Sequence, residues 1–454
     1  MNEQITRRTV LKRLAVLSGT AGLASAGVQS VAAGVSQPHG LHAPSAIPAS
    51  VQEGGTMRYL YNATPGPNEL VYNNLIEMFE EQNPGVTVER IRVPGEIEIV
   101  QQMLASLAAN DPPELFLNRQ RTATPFISRD ALTDLVPLAT EDAVDLEDFW
   151  PSAIETYGRG EALYGLPFGA SSNAFYFNIE KYNEAGVTLP TDLGEGVPWN
   201  WDTLREQVLQ LTSGSGPGKT FGLDAIFELD HVDMWVWQNG GELWDLETGT
   251  CTLNQPEAVG AMQWLVDLVL EDGAMATPEQ VSSSGDLFAA GRVGIKAGGR
   301  YVLQQTLESE FVANDMIGMI VAPDGPVTNM TRGDDLAHSI PLNTKRPDLG
   351  WEFAKLWTSD EGQQQVITTR RSYTSRRSFA SSQFMTDNLL PWEVQATYIE
   401  GLERTGVYRA PDRANEVEAI FDREMSLAFI GEKTVQEAAD AMTRDIEVVL
   451  NTPL

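Results

Sequence analysis

The sequence predicts an α/β protein with a largely parallel sheet, because strand and helix patterns alternate along a chain long enough for two domains. It has 454 residues, 42% of them apolar, which is ordinary for a protein with hydrophobic cores. A β-prone run at 56–63 precedes apolar residues at helical spacing over 68–85. The next strand is predicted at 86–93, a helix at 98–111 and a third strand at 113–118. Such strand-helix-strand units predict parallel strands joined by crossover helices.

The N-terminus has the features of an export signal. Arg7 and Arg8 precede a moderately apolar segment rich in Ala and Gly that ends in small-residue cleavage patterns, which is typical of a twin-arginine signal peptide over residues 1–33. The apolar run is too short and too interrupted to predict a transmembrane helix. Residues 34–55 are rich in Pro, Ala, Ser and Gly and predict a flexible leader. No Cys follows the signal to carry a lipid anchor, so we expect an exported protein without one.

The charge of the chain restricts its partners. The formal net charge is -32, which argues against nucleic acid and anionic membranes because both attract positive charge. Only 7 basic residues are Lys and 24 are Arg. An acidic, Lys-poor composition is typical of proteins from concentrated salt, where screening relieves self-repulsion. An ordinary acidic secreted protein is the alternative.

The sequence contains no motif that nominates a catalytic or metal site. Cys251 is the lone cysteine, so neither an internal disulfide nor a multi-Cys metal site is expected. There is no G-x-S-x-G, P-loop or dinucleotide fingerprint, and beyond the leader only His231 and His338 remain. The 63 acidic residues are too many to nominate a pair for glycoside hydrolysis. We expect no catalytic residue, metal or cofactor, and a secreted carbohydrate-active enzyme is a distant alternative.

Seven segments carry a family resemblance. In chain order they are LIEMFEEQNPGVTVERIRVPG, AANDPPELFLN, LYGLPFGASSNAFYFNIEKYNEAG, WNWDTLREQVLQLT, NQPEAVGAMQWLVDLV, FAAGRVGIKAGGRYVLQ and WEFAKLWTSDEGQQQ. Together the chain resembles family 1 extracellular solute-binding proteins, the sugar-binding components of ABC importers similar to maltose-binding protein. Each segment is weak alone, but their order makes the resemblance specific.

The resemblance implies a two-lobed periplasmic-binding-protein-like fold. Each lobe would be a mainly parallel sheet flanked by helices, and crossing hinge strands would join the lobes. The implied lobes are 56–173 with 337–388 (N-terminal) and 174–336 with 389–454 (C-terminal). The implied crossings are near 172–176, 334–338 and 387–393. Hinge closure would enclose a carbohydrate or related polyhydroxylated solute for delivery to the membrane subunits of an ABC importer, and we expect a monomer.

The resemblance also nominates ligand contacts in the first lobe and at the first crossing. Ser172 and Asn173 are candidates for the cleft floor, because short polar side chains orient hydroxyl groups without filling the space. Asn62, after the first strand, and Asn118 and Arg119, at the end of the third, map onto ligand-facing loops. A plain Pro-Gly turn is the alternative for the first loop. Arg119 could instead pair with surface carboxylates.

Two tryptophans lie where the family places aromatic residues at the cleft edge. A strand would point Trp235 and Trp237 to one face, whereas a helix would separate them by roughly 200°. At least one is a candidate to stack on a sugar, and Trp237 is favoured because the glycines beside it let backbone approach a ligand. A buried pair is the alternative.

The remaining candidates leave the ligand class open. Where the family commonly has Gly-Trp, this chain has a Gly followed by Arg300 and Tyr301, which weakens the case for a long oligosaccharide and favours an anionic ligand such as glycerol-phosphate. Asp334 and Asp335, at the expected second crossing, could accept hydrogen bonds from hydroxyls or belong to a capped turn. Tyr373 is a further candidate contact.

Overall fold

The computed structural model describes residues 54–452 apart from 64–65, 226, 278–279, 281–284 and 304–305. The predicted signal peptide, residues 1–33, lies outside the described residues, as does the predicted leader up to residue 53. The strands are β1 (Gly55–Asn62), β2 (Val86–Val93), β3 (Leu115–Arg119), β4 (Gly158–Arg159), β5 (Ala162–Leu163), β6 (Leu166–Ala170), β7 (Ala174–Asn178), β8 (Phe221–Asp224), β9 (Trp244–Asp245), β10 (Thr250–Cys251), β11 (Val293–Gly298), β12 (Ile317–Val321), β13 (Leu336–Ser339) and β14 (Tyr373–Thr374).

Helices separate most of these strands. The α-helices are α1 (Pro67–Gln82), α2 (Glu96–Ala108), α3 (Thr124–Ile127), α4 (Val136–Glu141), α5 (Pro151–Tyr157), α6 (Ile179–Ala185), α7 (Trp201–Leu211), α8 (Leu229–Gln238), α9 (Pro256–Leu270), α10 (Glu310–Ala313), α11 (Pro347–Thr358), α12 (Asp360–Thr368), α13 (Arg377–Ala380), α14 (Gln383–Asp387), α15 (Gln395–Glu403), α16 (Ala414–Phe429) and α17 (Val435–Leu450).

The first strand-helix-strand unit shows how local sequence produces this order. α1 buries Val71, Leu75 and Phe79, which recur every four residues along one helical face. The chain then reverses at Gly85, whose φ of 95° is a conformation that side chains with a Cβ rarely adopt. β2 starts at the next residue and matches its predicted bounds. β1, α2 and β3 also form close to the predicted positions.

The first lobe is built on a six-stranded sheet in the order β14-β6-β13-β3-β1-β2. β1 is parallel to both β2 and β3, as predicted, whereas β13 is antiparallel to β3 and β6, and β14 is antiparallel to β6. β1, β2, β3 and β6 therefore share one direction. β13 opposes them because it returns from the second lobe.

The second lobe is built on a four-stranded sheet in the order β12-β7-β11-β8. β8 and β11 are parallel, and β7 is antiparallel to its neighbours β11 and β12. β7 is the strand that arrives from the first lobe, so the sheet is mixed where the lobes connect. Its side chains alternate between two cores: Phe175 and Phe177 pack towards α7, α8, α9, α16 and α17, whereas Tyr176 packs on the other face.

A third connection follows β14 and contacts both lobes. Arg376 pairs with Asp148 of the first lobe at 2.8 Å. Farther along, Trp392 packs edge-on against Tyr176 of the second sheet, with the ring centroids 6.1 Å apart. The third connection thus contacts first one lobe and then the other. The predicted lobe boundaries remain predictions.

Candidate ligand-binding cleft

Two segments cross side by side between the lobes and form the floor of the cleft. The first, residues 171–173, joins β6 to β7, and the second, residues 332–334, leads back into β13. Ser171 and Asp334 exchange backbone hydrogen bonds of 3.2 and 2.9 Å. The backbone N–H of Asn173 donates to the carbonyl of Arg332 at 2.9 Å. This antiparallel pair joins the lobes slightly before the predicted crossings near 172–176 and 334–338, whose residues lie mostly in β7 and β13, and such short connecting segments suit a hinge.

Ser172 and Asn173 lie in this floor, and both are buried, with 3% and 5% exposure. Ser172 is bridged to Gly333 on the second segment. Its hydroxyl lies so close to α15 that a Cβ added at Gly401 would be 2.3 Å from Oγ, so a larger residue at this position would force the Ser172 side chain to move. A solute can therefore contact these two side chains only after the elements packed over them move.

The carboxyl ends of β1, β2 and β3 form the first-lobe wall, which is where ligands bind in open α/β sheets. Asn62 ends β1 beside Val93 at the end of β2. Its Oδ1 is buried without a hydrogen-bond partner among the described residues, so it can accept a bond from a solute once the atoms that cover it move. Asn118, at the end of β3, is fully buried and donates to Ser339 Oγ at 3.0 Å, so its side chain belongs to the lobe interior.

Arg119 extends from the end of β3 towards the floor. Its guanidinium pairs with Glu96, in the first turn of α2, and its Nη2 lies 3.4 Å from Oδ2 of Asp334. The third nitrogen of the guanidinium, Nε, is buried and has no partner among the described residues. Arg119 therefore ties the wall to the floor through two carboxylates and retains one donor for a ligand.

The neighbouring carboxylates of the second crossing have different environments. Asp334 faces Arg119, whereas Asp335 is 1% exposed and its Oδ2 accepts from Thr156 Oγ1 at 3.3 Å. Burial and the charge of Asp334 raise the pKa of Asp335 to about 7, although the hydrogen bond from Thr156 and the charge of Arg332 oppose the increase. Asp334 thus pairs with Arg119 at the end of β3, and Asp335 is an interior carboxyl.

The second-lobe wall consists of α8 and the turn after β11, which follow the carboxyl ends of the parallel strands β8 and β11. Nε2 of His231 and Oη of Tyr301 lie 2.6 Å apart, and Tyr301 is 40% exposed. Nε of Arg332, in the floor, lies 3.9 Å from Oδ2 of Asp233 on α8, and both side chains are buried. An ion pair therefore joins this wall to the floor, as on the first-lobe side.

The tryptophans lie in the second-lobe core rather than on a wall. Residues 229–238 are helical, so Trp235 and Trp237 point to different faces. Trp235 is 1% exposed and stacks on Trp264 at 5.1 Å between centroids, and Trp237 is 5% exposed within the same core. The two tryptophans are therefore buried, which is the alternative that the sequence left open.

Arg300 and Tyr373 belong to a buried hydrogen-bond network around Glu393. Arg300 Nε and Nη2 donate to the two carboxylate oxygens of Glu393 at 2.7 and 2.8 Å, and its guanidinium lies 5.0 Å from the Tyr373 ring centroid. Hydroxyls of Tyr373 and Tyr398 donate to the same carboxylate at 3.0 and 2.8 Å. Arg300, which suggested an anionic ligand, therefore already has a counter-ion within the protein.

Three residues of the cleft are not singled out by the sequence reasoning: Glu96, Asp233 and Arg332. Glu96 has a usable signal, because it opens a helix directly after a parallel strand, where sheet edges bind ligands. Asp233 has none, because its direction depends on whether residues 229–238 form a helix or a strand. His338, which the sequence left unassigned, is buried between Phe168 and Tyr59 in the first-lobe core.

Within residues 54–452, leaving out the gaps given above, no group of three or more His, Cys, Asp or Glu side chains could hold a metal ion. In the same part of the chain no helix combines the length and the apolar character needed to cross a membrane.

The fold and the cleft define a class of protein in which two α/β lobes, joined by crossing strands, enclose a small solute. Residues 49–364 match the family described as bacterial extracellular solute-binding protein, and the chain belongs to this family. The members of this family are solute-binding proteins rather than enzymes, and an exported protein fits the family. The predicted family and the two-lobed α/β fold are confirmed, but the sheets are mixed rather than mainly parallel, because among the described strands only β1 with β2 and β3, and β8 with β11, pair in parallel.

Individual relatives agree with this assignment. A protein of Brucella abortus (strain 2308), named as a binding protein, is 26% identical over 337 residues, covering 69% of this chain and 77% of the relative. The sugar-binding protein MalE of Xanthomonas citri has a TM-score of 0.74 at 16% identity, with 87% of this chain and 97% of that chain covered. UgpB of Mycobacterium tuberculosis, in complex with glycerophosphocholine, has a TM-score of 0.73 at 19% identity, with 88% and 99% covered. At these identities the two structures show a shared fold.

Proposed function

We propose that the protein binds a carbohydrate or related polyhydroxylated solute between its lobes and delivers it to the membrane subunits of an ABC importer. The observation that carries this proposal is a pair of buried polar atoms at the first-lobe wall. Asn62 Oδ1 is an acceptor and Arg119 Nε a donor, and neither has a partner among the described residues. A hydroxyl group both donates and accepts, so a solute rich in hydroxyls can satisfy both atoms.

The opposite wall supports a sugar through Tyr301. Its ring is 40% exposed, and its hydroxyl is held by His231 at 2.6 Å. An aromatic face can pack against the C–H face of a sugar while polar neighbours bind the hydroxyls. Because Trp235 and Trp237 lie in the core, one aromatic contact favours a short saccharide or polyol over a long oligosaccharide. The sugar-binding relative MalE shares the fold.

An anionic solute is a second candidate. Arg119 already faces Glu96 and Asp334, but its Nε can still donate to a phosphate oxygen. The relative UgpB, solved with glycerophosphocholine, shares the fold. The two carboxylates beside Arg119 offset its charge, which favours the neutral polyhydroxylated solute.

The cellular setting follows from the N-terminal sequence and composition. We propose export through a twin-arginine signal, action as a monomer without turnover of the solute, and an environment of high salt. The charge of -32 and the excess of Arg over Lys support the last point.

A thermal-shift screen of sugars, polyols and their phosphates tests the proposal. A solute that binds only the folded protein stabilises it by about 2.7 kcal/mol at a hundredfold excess over Kd, so its melting temperature must rise. Titration calorimetry of Asn62→Ala and Arg119→Leu should then show affinity at least about tenfold below that of the wild type. If phosphorylated compounds alone stabilise the protein, the second candidate replaces the first. If no compound of either class does, the proposed ligand classes are wrong.

Small-angle scattering tests the closure itself. With a confirmed solute at saturation, the radius of gyration should fall as the lobes close about the crossing segments. An unchanged radius would contradict closure.

A further inference from the structure

Arg121 reaches from the first lobe into the second. It follows β3, and its Nη2 donates to Glu418 Oε1 on α16 at 2.8 Å, while its Nη1 lies 4.0 Å from Glu228 Oε2 just before α8. Arg121 and Glu418 are only 29% and 19% exposed, so salt screens this pair less than a fully solvated one. One guanidinium thus contacts two elements of the opposite lobe.

Other inter-lobe contacts cluster along the segment that leads into α16. Asp412 accepts from Ser128 Oγ at 2.6 Å and lies 3.9 Å from Arg129 Nη1. Arg409 pairs with Glu155 on α5 at 3.4 Å. Each contact has one partner in the first lobe and one in the second. A hinge rotation that separates the lobes by a few ångströms would break them together.

These contacts act against a repulsion that the composition makes unavoidable. The chain carries 63 acidic and 31 basic residues, so two approaching lobes bring like charges together. Arg121 places a cation between Glu228 and Glu418, where closure would otherwise bring two carboxylates towards the first lobe. Its contribution to closure is therefore larger than that of a cation whose carboxylate lies on its own lobe.

We infer that Arg121 determines the affinity for the solute without contacting it, by holding the lobes together through Glu418 and Glu228 before the solute arrives. The apparent dissociation constant of a protein with a partly populated binding-competent state is the intrinsic constant divided by the populated fraction. Loss of the pair lowers that fraction. This inference rests on the proposed function for its biological meaning, whereas the distance between the lobes can be measured without solute.

The test measures the distance between the lobes in the solute-free protein. Spin labels are placed on Gln101→Cys in α2 and Gln263→Cys in α9, two exposed neutral residues, while Cys251 is buried. Pulsed electron paramagnetic resonance then gives the distance distribution of the doubly labelled protein. Variants Arg121→Gln and Glu418→Gln each remove the pair. Arg121→Glu with Glu418→Arg, made together with Glu228→Gln, exchanges the charges of the pair without setting the new carboxylate against Glu228. Arg423→Gln is the control, because Arg423 pairs with Asp445 inside the second lobe.

Each single variant should raise the ratio of open to closed molecules about two- to fivefold, as expected for one partly exposed ion pair. The charge exchange should restore much of the closed population, and Arg423→Gln should leave the distribution as in the wild type. Unchanged distributions in both single variants would overturn the inference, as would an equal shift in the control or a failure of the exchange to restore closure. Circular dichroism confirms that each variant is folded. Because two independent single variants are made, the test can still be carried out if one of them does not fold.

No ligand enters this experiment, so its result is separate from the solute screen. Failure of the screen would remove the proposed ligand classes and leave the inter-lobe pair intact. Unaltered distances in the variants would remove the role of Arg121 and leave the ligand assignment standing.

Discussion

Arg300 and Glu393 form a bidentate ion pair inside the protein, with N–O distances of 2.7 and 2.8 Å. Their side chains are 7% and 0% exposed. Glu393 also accepts from Tyr373, which belongs to the first-lobe sheet. The pair therefore anchors the third connection between the lobes to the turn after β11.

Glu393→Gln should lower the free energy of unfolding by about 3 to 5 kcal/mol, because it leaves the Arg300 charge buried without a counter-ion. Urea denaturation followed by circular dichroism measures this change. Asp445→Asn is the control: it removes a carboxylate from a pair with the half-exposed Arg423, and its effect should stay below about 1 kcal/mol. Equal effects of the two substitutions would contradict the buried pair.

Asp335 should make stability depend on pH. Its pKa in the folded protein is about 7, above the usual 3.8, so between these values the folded state retains a proton that the unfolded state has lost. Stability therefore falls as pH rises from about 4 to 7. Asp335→Asn removes this penalty, and its advantage should grow with pH towards roughly 4 kcal/mol. Melting curves of both proteins at several pH values measure the difference, and a pH-independent difference would contradict the assignment.

Trp235→Ala should reduce stability by about 3 to 5 kcal/mol, because it empties a fully buried site against Trp264. Chemical denaturation measures the loss. Affinity for a confirmed solute should be unchanged at temperatures where the variant is folded. A variant with wild-type stability and weakened binding would instead put this ring in the cleft.

Tyr301→Ala should have the opposite profile. Its ring is 40% exposed, so stability should change by less than about 1 kcal/mol, whereas loss of a stacking contact should weaken sugar binding about ten- to a hundredfold. Calorimetric titration and thermal melting separate the two effects. Tyr301→Phe is the matched control, because it keeps the ring and removes only the hydroxyl held by His231. Wild-type affinity in Tyr301→Ala would exclude stacking.

The melting temperature should rise between low and molar NaCl or KCl, because salt screens the self-repulsion of a chain with a net charge of -32. Differential scanning calorimetry over this range measures the effect. A flat or falling curve would remove the proposed adaptation to high salt and leave solute binding untouched.

Local patterns in the sequence account for much of the fold. The strand at 86–93 and the helix before it are readable because their apolar residues follow periods of two and about four. The run around Trp235 is not readable in this way: Met234, Trp235, Val236 and Trp237 are all apolar, so no period distinguishes a buried helix from a strand.

The site is less accessible to sequence reasoning than the fold. Arg300 and Glu393 are separated by 93 positions, so nothing local reveals that the arginine already has its counter-ion. Likewise, the neighbours Asp334 and Asp335 differ in burial because tertiary packing places Asp334 beside Arg119 and Asp335 beside Thr156 in the interior. Residues defined by position along the chain, such as Ser172 at the crossing, are the ones that the sequence locates best.

The position of β13 affects how the chain can fold. This strand lies inside the first sheet, between β3 and β6, yet it is synthesised after all the strands of the second sheet. Conversely, the core of the second lobe is completed by α16 and α17 at the end of the chain. Neither half of the polypeptide contains a whole hydrophobic core, so each lobe can complete its native packing only after a distant later segment has been made, the first lobe before the second, and no single cut would release either lobe as an independent folding unit.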